Sequence, residues 1–374
     1  MVSAFTKAAA EVWGNPSSIH HDGQMARKRV EEARRQVAGL LACGVKDVVF
    51  TSGGTEADNL ALLGVVRAAE GTRKHVITSV VEHPAVLAAC ARLEREGIEV
   101  TYLAVDRRGV VDPESLRRQI RPHTVLVSVM HANNETGVVQ PLAALAAVAR
   151  GSGVLFHADG VQAAGKMAVN VAELGVDLYS ISGHKIYAPK GVGALYVRTG
   201  LALEPGTYGG RQERARRTGT ENVPGIVAMG EAALLAADGA RLAVLRDQLE
   251  QAILDRVAHV TVNGAGAERV PNTSNLRFEG IDGEALLIAL DLKGFSVSTG
   301  AACSSGAVEP SHVLLAMGLT KEEARSSIRF SLGRCNTEEQ VDALVEAVVD
   351  SVAHLRKLSP RYSYAGSEER GTAS

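Results

Sequence analysis

Cysteine is scarce in this sequence: Cys43, Cys90, Cys303 and Cys335 are the four in 374 residues, and no C-x-x-C spacing occurs. That excludes a disulfide frame and a cysteine-built zinc site, and it implies reduced thiols in a cytosolic protein with no bound metal. An excess of charge is missing too. Lys and Arg number 40 against 42 Asp and Glu, a formal net charge of −2, so no general affinity for nucleic acid is expected. No run approaches the roughly 18–20 apolar residues of a membrane span, and the N-terminus lacks the charged and apolar regions of a secretory signal. What is present is a 46% hydrophobic chain too long for one ordinary core, so two domains are expected.

The chemistry gathers at Val176-Asp177-Leu178-Tyr179-Ser180-Ile181-Ser182-Gly183-His184-Lys185, a β-prone run that ends abruptly in Ser-Gly-His-Lys. A lysine closing a buried strand is unusual, because its ammonium is costly to desolvate and burial lowers its pKa. Such a lysine can form a Schiff base, and with pyridoxal phosphate that imine is a catalytic centre. Ser182 and His184 flank it with short-range donors suited to a phosphate. The same run also fits a lysine that merely snorkels from a strand end to solvent.

A second apolar run, Val154 to Asp159, ends in an acid 26 residues before Lys185. Pyridoxal enzymes place a carboxylate beside the pyridine nitrogen to keep it protonated. The spacing is about one strand–helix–strand crossover, which sets both residues at the carboxyl ends of neighbouring strands. An isolated Asp after a strand is more often a turn residue or N-cap, so the pair carries the argument.

Strands at about 48–51, 76–80, 125–130, 154–158 and 177–181 alternate with helical segments, and Gly191 to Arg198 reads as a further strand. This predicts an α/β fold, a mostly parallel sheet covered by helices on both faces, with ligands beyond the strands' carboxyl ends. Residues 24–41 read as a helix in which Arg27, Lys28, Arg29, Glu31, Glu32, Arg34 and Arg35 form a solvated face around Val30, Ala33, Val37 and Leu41. Ser52-Gly53-Gly54-Thr55, feeding a helix from Glu56 to about Ala69, offers free backbone N–H groups to a phosphate. Pro84 sits where a helix begins, just after His83. Residues 206–219 form a basic, glycine-rich loop with no obvious core role, and a helical stretch runs from about Ile226 to Ala258. Thr337 to Gln340 is a capping box opening the last helix. Cys43 and Cys90 read as packing residues on helices.

These readings sit in an ordered set of motifs. It comprises GNPSSIH at 14–20, TSGGTEADNL at 51–60, EHPAV at 82–86, MHANNETGVVQP at 130–141, HADGVQAAGK at 157–166 and SGHKIYAPKGVGALYVR at 182–198. RTGTEN at 217–222, STGAACSS at 298–305 and SSIRFSLGR at 326–334 complete it. With them the chain resembles the cysteine desulfurases of the class-V aminotransferase superfamily, in the branch that feeds iron–sulfur cluster assembly. The resemblance runs from about Gly14 to the last long helix.

It implies a fold-type I pyridoxal 5'-phosphate enzyme with a large cofactor domain over 1–236 and a smaller α+β domain over 237–358, and the polar composition beyond Leu358 predicts a disordered tail over 359–374. The activity implied is conversion of L-cysteine to L-alanine, with the sulfur taken as a persulfide by Cys303. Lys185 carries the cofactor and moves the Cα proton, while His83 stacks on the ring and is placed for proton transfer. Asp159 faces the pyridine nitrogen and Gln162 lies beside the phenolic oxygen. Gly54, Thr55, Ser182 and His184 surround the phosphate, and Thr220 reaches the phosphate site of a partner in a homodimer. Asn134 and Arg329 hold the substrate carboxylate, for which a guanidinium on an alternating strand is well suited. His131, Asn133 and Glu135 shape the turn before that pocket. A cytoplasmic iron–sulfur scaffold or another sulfur acceptor is the implied partner.

One departure stands out. Members usually begin with a further strand and turn, reading like D-N-x-A-T-T, that lines the substrate pocket. A catalytically impaired cofactor- or scaffold-binding homologue is therefore an alternative, beside a selenocysteine lyase and a plain aminotransferase.

Overall fold

The computed structural model describes residues 1–236, 239–299 and 309–358, which form two compact units. The larger is built from Met1–Ala104, Val111–Asn133 and the chain from Gln140 to 236. Its strands are β1 (Val48–Thr51), β2 (His75–Ser79), β3 (Glu99–Leu103), β4 (Thr124–Ser128), β5 (Leu155–Asp159), β6 (Leu178–Ser182) and β7 (Gly193–Val197). They form one sheet in the order β1-β7-β6-β5-β4-β2-β3. The run from β3 to β6 is parallel, and only β7 is antiparallel, to both β6 and β1.

The central strands β2, β6 and β7 are buried at every position, as strands covered on both faces should be. β3 is absent from the sequence expectation for a physical reason. It lies at the sheet edge with Glu99–Tyr102 half-buried, so it lacks the continuous apolar run that marks its neighbours.

The helices of this unit are α1 (Val2–Glu11), α2 (His21–Leu40), α3 (Gly54–Ala68), α4 (Pro84–Arg95), α5 (Pro113–Gln119), α6 (Leu142–Gly151), α7 (Val171–Leu174) and α8 (Val223–Leu234). In α2 the stripe Val30, Ala33 and Val37 is buried as expected, but one member of its supposed solvated face is not solvated. Arg34 is 3% exposed and forks onto Glu213 at 2.6 and 2.7 Å. Cys90 is buried on α4, whereas Cys43 lies past the end of α2, on no helix. Burial pushes both thiols up to about 12.

The smaller unit gathers Val105–Val110, Asn134–Val139 and the described residues from 239 on. The expected helix from Ile226 to Ala258 is two helices: α8 ends at Leu234, and α9 (Gly239–Arg256) belongs to this second unit. The antiparallel sheet β10-β9-β8, from β8 (Val260–Val262), β9 (Thr273–Phe278) and β10 (Ser327–Ser331), packs with α9, α10 (Gly283–Asp291) and α13 (Glu338–Leu358). Leu249, Phe278, Leu286, Phe330 and Val348 lie in that core. α11 (His312–Ala316) and α12 (Lys321–Arg325) complete the unit. The segment Asn134–Val139 belongs here because Val139 N donates to Glu268 O at 2.8 Å and Val138 bridges Arg269. The capping box is present: Gln340 N donates to Thr337 Oγ1 at 3.4 Å and Thr337 N to Gln340 Oε1 at 3.3 Å. Among the described residues no single helix is long and apolar enough to cross a membrane.

Candidate active site

Asp159 ends β5 and pairs in register with Ser180 of β6, so the acid and the segment leading to Lys185 do lie at neighbouring strand ends. Asp159 is 6% exposed, and its Oδ1 accepts from Val161 N at 2.9 Å. Burial raises its carboxyl to about 6, opposed by the Val161 N–H and by the charge of Lys185. The next residue, Gly160, is required by packing. A Cβ there would stand 2.0 Å from the Tyr179 ring. Tyr179 in turn shares a 2.7 Å hydrogen bond with His131 Nδ1, whose ring burial holds at about 4 and thus neutral.

Lys185 corrects one expectation. β6 stops at Ser182, and Lys185 sits exposed on the single 3-10 turn Gly183–Ile186 beyond it. Tyr187, which ends that turn, takes a left-handed φ of 71°, uncommon for a non-glycine residue. The lysine is presented at the sheet's end, not desolvated within it.

The turn from β1 into α3 lies beside this lysine-bearing turn. A Cβ on Gly53 would stand 3.9 Å from Ser182 Oγ, and one on Gly54 would strike Val161 Cγ2 at 2.8 Å. Ser182 Oγ and His184 Nδ1 are 2.9 Å apart. His184 is held below its usual range by burial and by the charges of Lys185 and Lys190. Gly54 and the exposed Thr55 open α3, whose first N–H groups and positive dipole end suit an anion.

The strand ends are knitted together around His83. Met130 N donates to Glu82 Oε1 at 3.0 Å, Asn133 Nδ2 to Val81 O at 3.0 Å and His131 N to Asp159 O at 2.8 Å. His83 itself caps α4, its Nδ1 accepting from Ala85 N at 3.1 Å, so a ring proton resides on Nε2. Gln162 follows Asp159 by one turn, where its Oε1 accepts from Lys166 Nζ at 2.5 Å. Thr220 is exposed on the loop before α8.

That loop is less free than its composition suggests. Glu213 is buried against Arg34, accepts Phe50 N at 2.9 Å, and is followed by Arg214 and Ala215 in the same left-handed conformation, at φ 59° and 62°. Arg217 adds a half-buried pair with Glu56 at 2.9 Å. Sequence reading missed Glu213 as an anchor because its partner is 179 residues away.

In the smaller unit, Arg329 and Asn134 come together as expected. Arg329 Nη1 donates to Asn134 O at 2.7 Å, while its Nε is buried with no hydrogen-bond partner. Nearby Glu135 is raised to about 7 by burial, against its bond from Ser311 and the charge of Arg329. Cys303 lies outside the described residues, as does the tail from 359 on.

The aminotransferase class-V family model matches residues 1–344. The chain belongs to the class-V aminotransferase family. This class-V aminotransferase is 48% identical over 355 residues to cysteine desulfurase IscS of Dictyoglomus turgidum, covering 94% of this chain and 90% of that relative. Its fold is similar to that of a solved NifS-like protein, with a TM-score of 0.88 and 35% identity over 95% of each chain. It is also similar to SspA, solved in complex with cysteine, with a TM-score of 0.80 and 34% identity over 88% of this chain and 94% of that one.

The family's enzymes depend on pyridoxal 5'-phosphate, and the residues present fit that group. A buried carboxylate that feels the charge of Lys185 ends β5, and a glycine turn backed by Ser182 and His184 opens α3.

Proposed function

We propose that this class-V aminotransferase is a cysteine desulfurase that converts L-cysteine to L-alanine and passes the sulfur to Cys303. The observation that carries the reading is the buried Asp159 at the end of β5, which feels the charge of Lys185 on the turn that follows the neighbouring β6. Relatives named cysteine desulfurase favour it over the selenocysteine lyase.

Lys185 would be the attachment point of pyridoxal 5'-phosphate, Asp159 would hold its ring nitrogen, His83 and Gln162 would orient its ring, and Gly54, Thr55, Ser182 and His184 would hold its phosphate. When bound, the cofactor supplies a sink for the electron pair left at Cα. Arg329 and Asn134 orient the substrate carboxylate. Lys185 Nζ takes the Cα proton, and Asp159 holds a negative charge that would keep the ring nitrogen protonated. The Cys303 thiolate then attacks the substrate sulfur. The S–S bond forms as the C–S bond breaks, the electron pair leaves with Cβ, and protonation of Cβ together with return of the proton from Lys185 Nζ to Cα gives alanine. Thr220 acts across a homodimer, and a cytoplasmic iron–sulfur scaffold or other acceptor takes the persulfide sulfur.

The test is release of alanine and sulfide from L-cysteine with a reductant present. Wild type should turn over. Lys185→Ala should lose both activity and the borohydride-reducible linkage, while Cys303→Ser should keep the linkage and transfer no sulfur. A linkage surviving at another lysine, or desulfuration by Cys303→Ser at the wild-type rate, would sink the reading.

A further inference from the structure

Asn134 and Arg329, read above as the holders of the substrate carboxylate, depend on other residues for their place. Asn134 and Glu135 lie in a turn outside any strand, and side chains hold that turn. Arg329 Nη1 donates to Asn134 O at 2.7 Å, and Asn275 Nδ2 donates to Glu135 O at 3.1 Å. The Glu135 carboxylate accepts at Oε2 from Ser311 Oγ. Two consecutive carbonyls are thus each held by one side chain.

Those two side chains leave the sheet together. Arg329 on β10 and Asn275 on β9 are register partners in an antiparallel pair, where directly opposed residues project from the same face. The main chain of Arg329 is also fixed on its other side, where its N–H donates to Ser298 O at 2.6 Å and its carbonyl accepts from Ser298 N at 3.2 Å. Its guanidinium is held less firmly. Among the described residues it makes one hydrogen bond, the one to Asn134 O, and its Nε is buried with no partner. A carboxylate accepted on a guanidinium edge would supply that partner.

Asn275 is the firm member of the pair. It is fully buried, and Asn263 Nδ2 donates both to its Oδ1 at 2.7 Å and to Ser327 Oγ at 3.0 Å. With its oxygen taken in this way, the Asn275 amide turns its donor end to Glu135 O. The bond to that carbonyl fixes the turn one residue from Asn134, and Asn134 O is what the Arg329 guanidinium rests on. Remove the Asn275 donor and the turn and the guanidinium lose their common reference together.

We propose that Asn275 is a positioning residue for substrate binding: through Glu135 O it fixes the turn that places Asn134 and the Arg329 guanidinium for the α-carboxylate of the amino acid. This rests on the reading of Arg329 and Asn134 as the carboxylate's holders and deepens it.

The test separates the carboxylate from the rest of the ligand. The enzyme loaded with pyridoxal 5'-phosphate is titrated with L-alanine and with ethylamine, the same amine without its carboxylate, and the cofactor's absorption reports binding. Asn275→Ala should bind L-alanine about tenfold more weakly than wild type, the scale of one hydrogen bond to a charged group, and ethylamine within about twofold of wild type. Asn275→Thr serves where the alanine variant does not fold: its branched side chain suits a strand, its hydroxyl is shorter than the amide, and it should show the same selectivity. An equal loss for both ligands would make Asn275 a structural residue only, and unchanged L-alanine affinity would show that the turn holds without it; either overturns the proposal. Arg329→Ala is read separately. Wild-type L-alanine affinity there removes the carboxylate reading and this proposal with it. Affinity lost there but kept in the Asn275 variants overturns this proposal alone.

Discussion

Arg34 and Glu213 lie buried with opposite charges matched, whereas Asp58 and Asp159 are two buried acids, and the charge of Asp159 raises the carboxyl of Asp58. The first pair is saturated with bonds: two between guanidinium and carboxylate, one from Arg34 to Val48 O at 2.9 Å and one from Phe50 N to Glu213. Arg34 also stands 4.8 Å over the Phe50 ring. In the second pair Asp58 Oδ1 has no hydrogen-bond partner, and burial raises both carboxyls above their usual range, that of Asp58 further through the charge of Asp159. The first arrangement fixes a loop against α2 and β1. The second stores protonation states next to the residue proposed to face the cofactor, where perturbed carboxyls are most useful.

Breaking the matched pair should have the largest effect. Glu213→Ala leaves the buried Arg34 with only the more exposed Glu31, at 3.2 Å, as a carboxylate partner, and should cost about 3–5 kcal/mol, read as a lower urea midpoint with an unchanged slope. The loop carrying Thr220 should become open to protease at the same time. A loss under about 1 kcal/mol would mean that Arg34 finds water or another partner, and that matching is not what holds the loop.

The half-exposed pair of the same loop sharpens the point. Arg217–Glu56 has 26% and 31% of its side chains exposed, so screening applies and Glu56→Gln should cost no more than about 1 kcal/mol. If it cost as much as Glu213→Ala, burial would not be the variable that separates the two pairs.

Much of this was legible beforehand, because it is written in local pattern. The apolar runs gave β1, β2, β4, β5 and β6, and the strand-ending acid located Asp159 beside the strand that leads to Lys185. Edge strand β3 was invisible because half-burial dilutes the hydrophobic signal. Arg34 read as solvated because a helix of alternating charges looks the same whether or not one guanidinium faces a distant acid. Asp58 gave no signal at all: a polar residue in a helix reads as an outward face, and only the sheet packed beneath α3 buries it. Lys185 was expected to be buried because the run ends in Ser-Gly-His-Lys, yet pairing stops at Ser182 and the turn lifts the lysine clear. Position in a strand was readable, and the side chain's surroundings were not.

Whether Asp159 carries the functional charge is decided most directly by the affinity of the cofactor-free protein for pyridoxal 5'-phosphate, measured from pH 5 to 8 in wild type and in Asp159→Asn. Asp159 stands at about 6, so its charge is present above that pH and lost below it. Wild-type affinity, taken relative to the variant, should therefore fall toward acid with a midpoint near 6, by up to ~tenfold per pH unit. Asp159→Asn should bind weakly at every pH. Two profiles that coincide across the range would contradict the account.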